Sequence, residues 1–200
     1  MKNILLVILS VTIFLIPAAG CSRTFKDTSS DSQNAAEKTS AVETKKENTV
    51  KAVESFSWKA KLYFPDKNAM SVVKEEREMK TEGIRPDAVS MARASIEELV
   101  KGPVNKELGN SMPKNTKILE VSLDKGLLTV DLSKEFEKEH PGGSTGTIMT
   151  LSQLVLTLTD IPGVDQVFFK VDGNILNDFK GHIEFKKPFK RADYEDNISK

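Results

Sequence analysis

Hydrophobic and polar residues alternate with a period of two in several stretches of this chain, and such alternation predicts β-strands. The predicted strands cover residues 56–64, 70–79, 119–123, 128–132, 167–171 and 175–176, with a last extended piece at 182–185. In the first strand four residues share one face: Trp58, Ala60, Leu62 and Phe64. The two central runs flank the turn Asp124-Lys125-Gly126, which predicts a hairpin. The dense charge of the 70–79 strand predicts that it lies at a sheet edge.

Two other segments carry apolar residues at helical spacing. The first is predicted to begin near Pro86, with Asp87 favourable to the helix dipole, and to end at Gly102-Pro103. The second is predicted to begin with Ser144 or Thr145 as the N-cap and to end before Pro162-Gly163. The apolar positions of the two helices are Val89, Ala92, Ile96, Leu99 and Val100, then Ile148, Leu151, Leu154, Val155 and Leu158. One face of each helix must therefore be buried.

The predicted order of elements is β-β-α-β-β-α-β-β. Two helices that each bury one face against the same sheet give the simplest two-layer arrangement. The sequence therefore predicts an α+β fold, a two-layer sandwich with both helices packed on one face of a mixed or antiparallel sheet. Residues 56–200 are long enough to form this as a single domain with its own core.

The N-terminal 20 residues follow the pattern of a secretory signal. Lys2 precedes an apolar run from Ile4 to Ile16, and small residues then lead to Cys21, the one cysteine of the chain. This ending resembles a bacterial lipoprotein signal, in which the cysteine is lipidated and becomes the mature N-terminus. The alternatives are an ordinary secreted protein with a leftover thiol and an uncleaved anchor. The sequence thus predicts signal peptide 1–20, lipidation of Cys21, and an extracytoplasmic location on the outer face of the cytoplasmic membrane.

Residues 21–55 are rich in Ser, Thr, Lys, Glu, Asp and Asn, and Phe25 is the one large apolar residue among them. Such a composition cannot bury enough apolar surface to offset the entropy of ordering the chain. We therefore predict a disordered polar tether between the lipid anchor and the domain at 56–200. The tether either gives the domain reach from the membrane or acts as a plain spacer.

Composition argues against several classes of function. The chain has 29 basic and 29 acidic residues, a balance that gives no electrostatic support for nucleic-acid binding. His140 and His182 lie far apart without a metal-ligand spacing. Residues 142–146 spell GxSxG, but no predicted strand leads directly into them, as a nucleophile elbow requires. A lipidated Cys21 is not a nucleophile. We therefore expect no enzyme, no cofactor and no metal site.

Three weaker patterns each have two interpretations. The glycine-rich stretch 142–147 before the second helix suits either anion binding or a capped helix entrance. Glu75 and Glu76 suit acid–base chemistry by type, but neighbouring strand residues point to opposite faces and cannot share one site. The basic cluster 186–191 suits either contact with anionic lipid or wall polymer, or a solubilising chain end.

Several short motifs, taken in order, resemble the GerMN domain of sporulation and spore-germination proteins. The motifs are Leu62-Tyr63-Phe64, the 72–77 strand, Leu99 to Pro103, Met112 to Thr116, Val130 to Phe136, Gln153 to Val164 and Val167 to Gly173. The resemblance implies a non-enzymatic lipoprotein of spore formation or germination, similar in layout to ring-building modules of envelope machines. The namesake type carries two copies of the domain, whereas this sequence carries one.

The favoured prediction is a membrane-anchored structural or interaction module of the cell envelope in sporulation or spore germination. Its expected partners are the membrane, through lipid on Cys21, and another envelope protein or a second copy of itself. The charged 72–79 strand offers an edge for strand addition. The alternatives are a module that binds peptidoglycan or a small ligand and, less favoured, a cell-wall hydrolase.

Overall fold

The computed structural model describes residues 54–199. Its helices and strands, in chain order, are β1 (Ser55–Pro65), β2 (Val72–Glu82), α1 (Ala88–Lys101), β3 (Ile118–Asp124), β4 (Leu127–Leu132), α2 (Glu135–Lys138), α3 (Ser144–Thr159), β5 (Gln166–Val171), β6 (Asp178–Phe179), β7 (Ile183–Glu184) and β8 (Phe189–Lys190). Two single turns of 3-10 helix, Arg191–Asp193 and Glu195–Asn197, follow β8. The signal peptide, Cys21 and residues 22–53 of the predicted tether lie outside the described residues. Ser55, assigned to the tether by the sequence, is already part of β1.

The α+β class predicted from the sequence is confirmed, and the strands divide among three sheets. β1 and β2 form an antiparallel ribbon, while β6 and β7 form a small antiparallel pair. The third sheet has the order β3-β4-β5-β8 and is mixed, because β4 and β5 run parallel and the other neighbours run antiparallel. β3 and β8 are therefore the two edges of the four-stranded sheet.

Helix α3 contacts both β1 of the ribbon and β5 of the four-stranded sheet. Enclosure by both explains why α3 is buried almost all round from Met149 to Leu158, polar residues included. The sequence predicted one apolar face that included Ile148. That detail is wrong, because Ile148 is 37% exposed, whereas Thr147 before it and every residue from Met149 to Leu158 are buried.

The capping of α1 accounts for its boundaries. The Asp87 carboxylate accepts the backbone N–H of Ser90 at 2.8 Å, and the Ser90 hydroxyl accepts the N–H of Asp87 at 2.9 Å, so the two residues form a capping box. At the other end Gly102 adopts φ +94°. A Cβ atom there would lie 3.2 Å from the side-chain nitrogen of Asn110, which itself donates to the Leu99 carbonyl.

Two local predictions were wrong. Gly143, with φ +79°, is the N-cap of α3, and Ser144 is the first helical residue. A glycine can take this left-handed backbone without strain, whereas Ser144 and Thr145 would have needed an extended one to cap the helix. Residues 175–176 form no strand, because the turn at 172–173 closes on Asn174 and the chain pairs again only at β6.

The C-terminal third of the domain is joined by a row of aromatic rings. Consecutive centroids lie 4.8 to 6.1 Å apart along Phe136, Phe179, Phe185, Phe169, Phe189 and Tyr194. Such distances suit favourable ring packing. The row fixes short strands that have few backbone hydrogen bonds of their own.

Candidate interaction surface

The two histidines occupy different environments. His140 is buried, and its Nε2 lies 2.8 Å from the Thr150 hydroxyl, while its Nδ1 accepts the N–H of Gly142 at 3.0 Å. An accepting Nδ1 requires the proton on Nε2, so the ring is neutral. Burial lowers the pKa of His140, and the nearby charge of Lys180 lowers it further. His182 is exposed.

Within residues 54–199, no three His, Asp or Glu side chains converge in a way that could hold a metal ion. Glu75 and Glu76 point to opposite faces of β2, with side chains 15% and 47% exposed. The residues singled out by the sequence for catalysis or metal binding are therefore not brought together in this part of the chain. In the same range, no helix has the length and apolar character needed to cross a membrane.

The glycine-rich entrance of α3 serves the helix itself. Gly142 and Gly143 both have positive φ, and the Gly143 carbonyl accepts both the N–H and the hydroxyl of Thr147 at 3.0 and 2.9 Å. A Cβ atom at either glycine would meet no atom within 4 Å, so the backbone conformation rather than crowding requires glycine here. This geometry favours the interpretation as a helix entrance.

The inward face of β2 carries a partly buried ion-pair network centred on Arg77. Its guanidinium lies 2.7 Å from Glu75 and 2.6 Å from Glu98, and it also donates to the Gly102 carbonyl. The Glu75 carboxylate accepts the backbone N–H groups of Val104 and Asn105. Burial opposes ionisation of both acids, but these partners hold the pKa of Glu75 and of Glu98 below the ordinary value. The network joins the ribbon to the end of α1.

The basic cluster near the C-terminus is not one exposed patch. The Arg191 guanidinium donates to the Tyr63 hydroxyl at 3.0 Å, and that hydroxyl donates to Asp160 at 2.8 Å. Burial raises the pKa of Tyr63; Arg191 opposes that rise and Asp160 adds to it. Lys187 pairs with Glu184 at 3.3 Å. Part of the cluster thus fastens the last residues to the ribbon and α3.

A groove runs between α1 and the start of β3, and we call it the α1–β3 groove. Its volume is about 410 Å³. One wall is formed by α1 residues at successive turns, namely Arg93, Glu97, Val100 and Lys101. The other wall is formed by residues that enter β3, namely Thr116, Lys117 and Ile118. Sequence reasoning missed this groove.

The electrostatics of the α1–β3 groove are dominated by cations. Arg93 and Lys117 form no ion pair with any residue of the described range 54–199, whereas Lys101 pairs with Glu98 at 2.6 Å. Glu97 is the one acidic residue of the two walls. The buried Thr116 hydroxyl finds no hydrogen-bond partner within the same range. The groove therefore presents unneutralised positive charge beside a sheet edge.

The fold and this surface define an α+β domain with a helix enclosed between a ribbon and a mixed sheet. The family model described as Germane, sporulation and spore germination, matches residues 61–177. Because this match covers more than half of the chain, the chain belongs to the sporulation and spore germination family. The resemblance to GerMN domains seen in the sequence is confirmed.

Solved structures show the same fold at low sequence identity. The first GerMN domain of the sporulation protein GerM from Bacillus subtilis is 22% identical, with a TM-score of 0.52 over 68% of this chain and 98% of that chain. The tandem GerMN domains of the same protein are 20% identical to this chain, with a TM-score of 0.54. The match covers 68% of this chain and 47% of the tandem domains. A Clostridium perfringens protein described as a lipoprotein is 23% identical, with a TM-score of 0.50 over 74% of this chain and 93% of that chain. No curated protein matches the chain.

Proposed function

We propose that this chain is a non-enzymatic lipoprotein of the cell envelope that binds a partner protein during sporulation or spore germination. The observation that carries the proposal is the family match over residues 61–177. The N-terminal pattern that ends at Cys21 supports anchoring on the outer face of the cytoplasmic membrane. The open β3 edge beside a charged groove supports binding to another protein.

Sporulation is the first part of the proposal to test. Deletion of the gene in the native host should lower the yield of heat-resistant spores or slow their germination, and a copy of the intact gene should restore both. A deletion strain with normal spore yield and normal germination would contradict the assignment.

Anchoring is tested separately with radiolabelled palmitate. The wild-type chain should incorporate the label and sediment with membranes, whereas Cys21→Ser should do neither. Equal labelling of the two chains would contradict lipidation at Cys21.

The non-enzymatic part is tested on purified peptidoglycan. The full chain should release no muropeptides, with or without added Zn²⁺. Metal-dependent release that is abolished by His140→Gln or His182→Gln would support a hydrolase instead.

The second candidate is a module that binds peptidoglycan or a small acidic ligand. The cations of the α1–β3 groove favour it, because carboxylates are complementary to them. Cosedimentation with insoluble peptidoglycan distinguishes it. Binding that is lost in Lys117→Glu would favour this candidate over a protein partner.

A further inference from the structure

The outer edge of β3 is the structural basis of a more specific inference. Lys125 and Gly126, the two residues between β3 and β4, have φ of 45° and 83°, as in a two-residue turn. The pair Asp124–Leu127 next to such a turn is hydrogen-bonded, and pairs then alternate along the ladder. The backbone N–H and C=O groups of Val121 and Leu123 therefore point away from β4. They form the free edge of the four-stranded sheet.

Ile118 continues the same edge beyond an irregularity in the pairing at Leu119. Its carbonyl faces α1, because Arg93 donates to it at 3.4 Å, a long hydrogen bond. Within residues 54–199, no backbone group of another segment pairs with this edge. Leu119 is 48% exposed beside it, so an apolar side chain also lies at the free edge.

Charge indicates which kind of strand suits this edge. In an added strand, alternate side chains would point toward α1 and the intervening ones toward solvent. Those that point toward α1 would meet Arg93 and Lys117, which form no ion pair at contact distance within the described residues, although Lys117 is near enough to Glu135 to help lower the pKa of that carboxyl. Glu97 is the one charge that opposes an acidic side chain there. Acidic residues at alternate positions are therefore complementary to the groove.

We propose that the α1–β3 groove binds an extended acidic segment of a partner protein, which adds to β3 as a fifth strand. The inference rests on the proposed function as an interaction module and names the chemistry of its partner. Main-chain hydrogen bonds to Val121 and Leu123 would supply part of the affinity, and the cations of the groove would select the acidic sequence. Peptidoglycan and a second copy of this chain are the competing occupants.

Binding is measured by fluorescence anisotropy with the full-length chain purified in detergent. The probe is a fluorescein-labelled decapeptide of alternating Glu and Val, compared with its Lys and Val counterpart. We expect the acidic probe to bind and the basic one not to bind. Binding should weaken at least about tenfold in Arg93→Glu and in Lys117→Glu, and it should fall as salt is raised. An acidic probe with N-methylated amides at alternate positions should also fail, because it cannot pair with an edge.

The matched control is Lys186→Glu, which makes the same charge change just before β8, at the opposite edge of the sheet. It should bind the acidic probe like the wild type. The double variant Arg93→Glu with Lys117→Glu should bind the basic probe instead, a gain that misfolding cannot produce.

Three results would overturn the inference. The first is equal binding of both probes. The second is binding that Arg93→Glu and Lys117→Glu leave intact. The third is a dimer in analytical ultracentrifugation that the same two substitutions dissociate, since the groove would then bind a second copy. Normal spores in a strain without the gene would instead contradict the proposed function, and would leave the binding measurements unaffected.

Discussion

Two sheet edges of the described residues, β2 of the ribbon and β3 of the four-stranded sheet, differ in how their charges are neutralised. The solvent face of β2 carries two ion pairs of its own, Lys74–Glu76 at 3.5 Å and Lys80–Glu78 at 3.6 Å. Its first residue, Val72, is paired with Ile198 and accepts the N–H of Ser199. The α1–β3 groove instead carries two cations without partners in the described range. Dense charge that is paired on the strand thus distinguishes the β2 edge from the β3 edge, where we propose that a partner binds.

Strand β2 illustrates the protective use of charge at an edge. Charged side chains discourage an additional strand, because pairing would desolvate them. On β2 they also satisfy one another, which leaves no net charge to attract a partner. The sequence prediction of strand addition at 72–79 stays untested, but the structure favours β3 for that role.

The largest expected effect comes from the core between the two edges. Leu154 is fully buried on α3, which contacts both the ribbon and the four-stranded sheet. Leu154→Ala should lower the free energy of unfolding by about 2–5 kcal/mol in urea denaturation of the full chain. Leu99→Ala in α1 should cost a similar amount.

Ile148 provides the matched control on the same helix. It is 37% exposed, so Ile148→Ala should lower the unfolding free energy by only about 1 kcal/mol. A loss as large as that of Leu154→Ala would contradict the described packing of α3.

The next effect distinguishes the two faces of β2. Arg77→Met removes one partner of the partly buried Glu75 and Glu98 carboxylates. Glu75 keeps the N–H groups of Val104 and Asn105, and Glu98 keeps Lys101, so the change should cost about 1–2 kcal/mol. Lys74→Met on the solvent face breaks an exposed pair and should cost at most about 1 kcal/mol. Thermal and urea unfolding measure both. Equal losses would mean that the inward network does not hold the ribbon to α1.

A pH series tests how much the buried, neutral His140 contributes to the stability of the fold. The pKa of His140 is lowered in the folded state, so the unfolded chain binds the proton more readily. The stability due to neutral His140 is fully present above about pH 6.5, the pKa of histidine in the unfolded chain. It is lost as the pH falls from there through the lower pKa that His140 has in the folded state. Melting temperature should therefore fall between about pH 7 and pH 5, before most carboxylates titrate.

Two variants check this assignment. His140→Gln should flatten the decline in melting temperature, and His182→Gln, at an exposed position, should leave it unchanged. A decline that persists in His140→Gln would show that another group causes it.

The smallest expected effect concerns the tether. Replacing residues 30–48 with an equally long Gly and Ser segment should leave the melting temperature unchanged, since we expect nothing there to pack. Spore formation and germination should also survive the exchange and should decline on deletion, because a shorter tether reaches less far. A length-matched exchange that abolished function would show that the tether contains a binding motif.

Local pattern was enough to predict much of this fold. The period-two face that holds Ala60, Leu62 and Phe64 is buried as predicted, and the hairpin turns at Lys125-Gly126. Helix α1 begins at Ala88, within two residues of the start predicted near Pro86, and Asp87 is its N-cap. These features depend on residues close in sequence. Their physical causes, alternation, turn chemistry and capping, can therefore be read directly from the chain.

Features that depend on distant segments could not be read in this way. The sequence of a strand does not determine which sheet the strand joins, so the division into a ribbon and a four-stranded sheet could not be predicted. The cations Arg93 and Lys101 recur on α1 at helical spacing, but only the packing of α1 beside β3 brings them near Lys117. The sequence showed the charges of β2 plainly, yet their pairing became visible only in three dimensions.

In-cell photo-crosslinking tests the central claim, that this chain binds its partner at β3 rather than at β2, most directly. A benzoylphenylalanine is placed at Glu97 in the α1–β3 groove or, for comparison, at Glu78 on β2, and the crosslinked peptides are sequenced from sporulating cells. We predict that position 97 captures an acidic segment of another envelope protein and that position 78 captures none. Capture at position 78 alone, or capture of a second copy of this chain at position 97, would contradict the account.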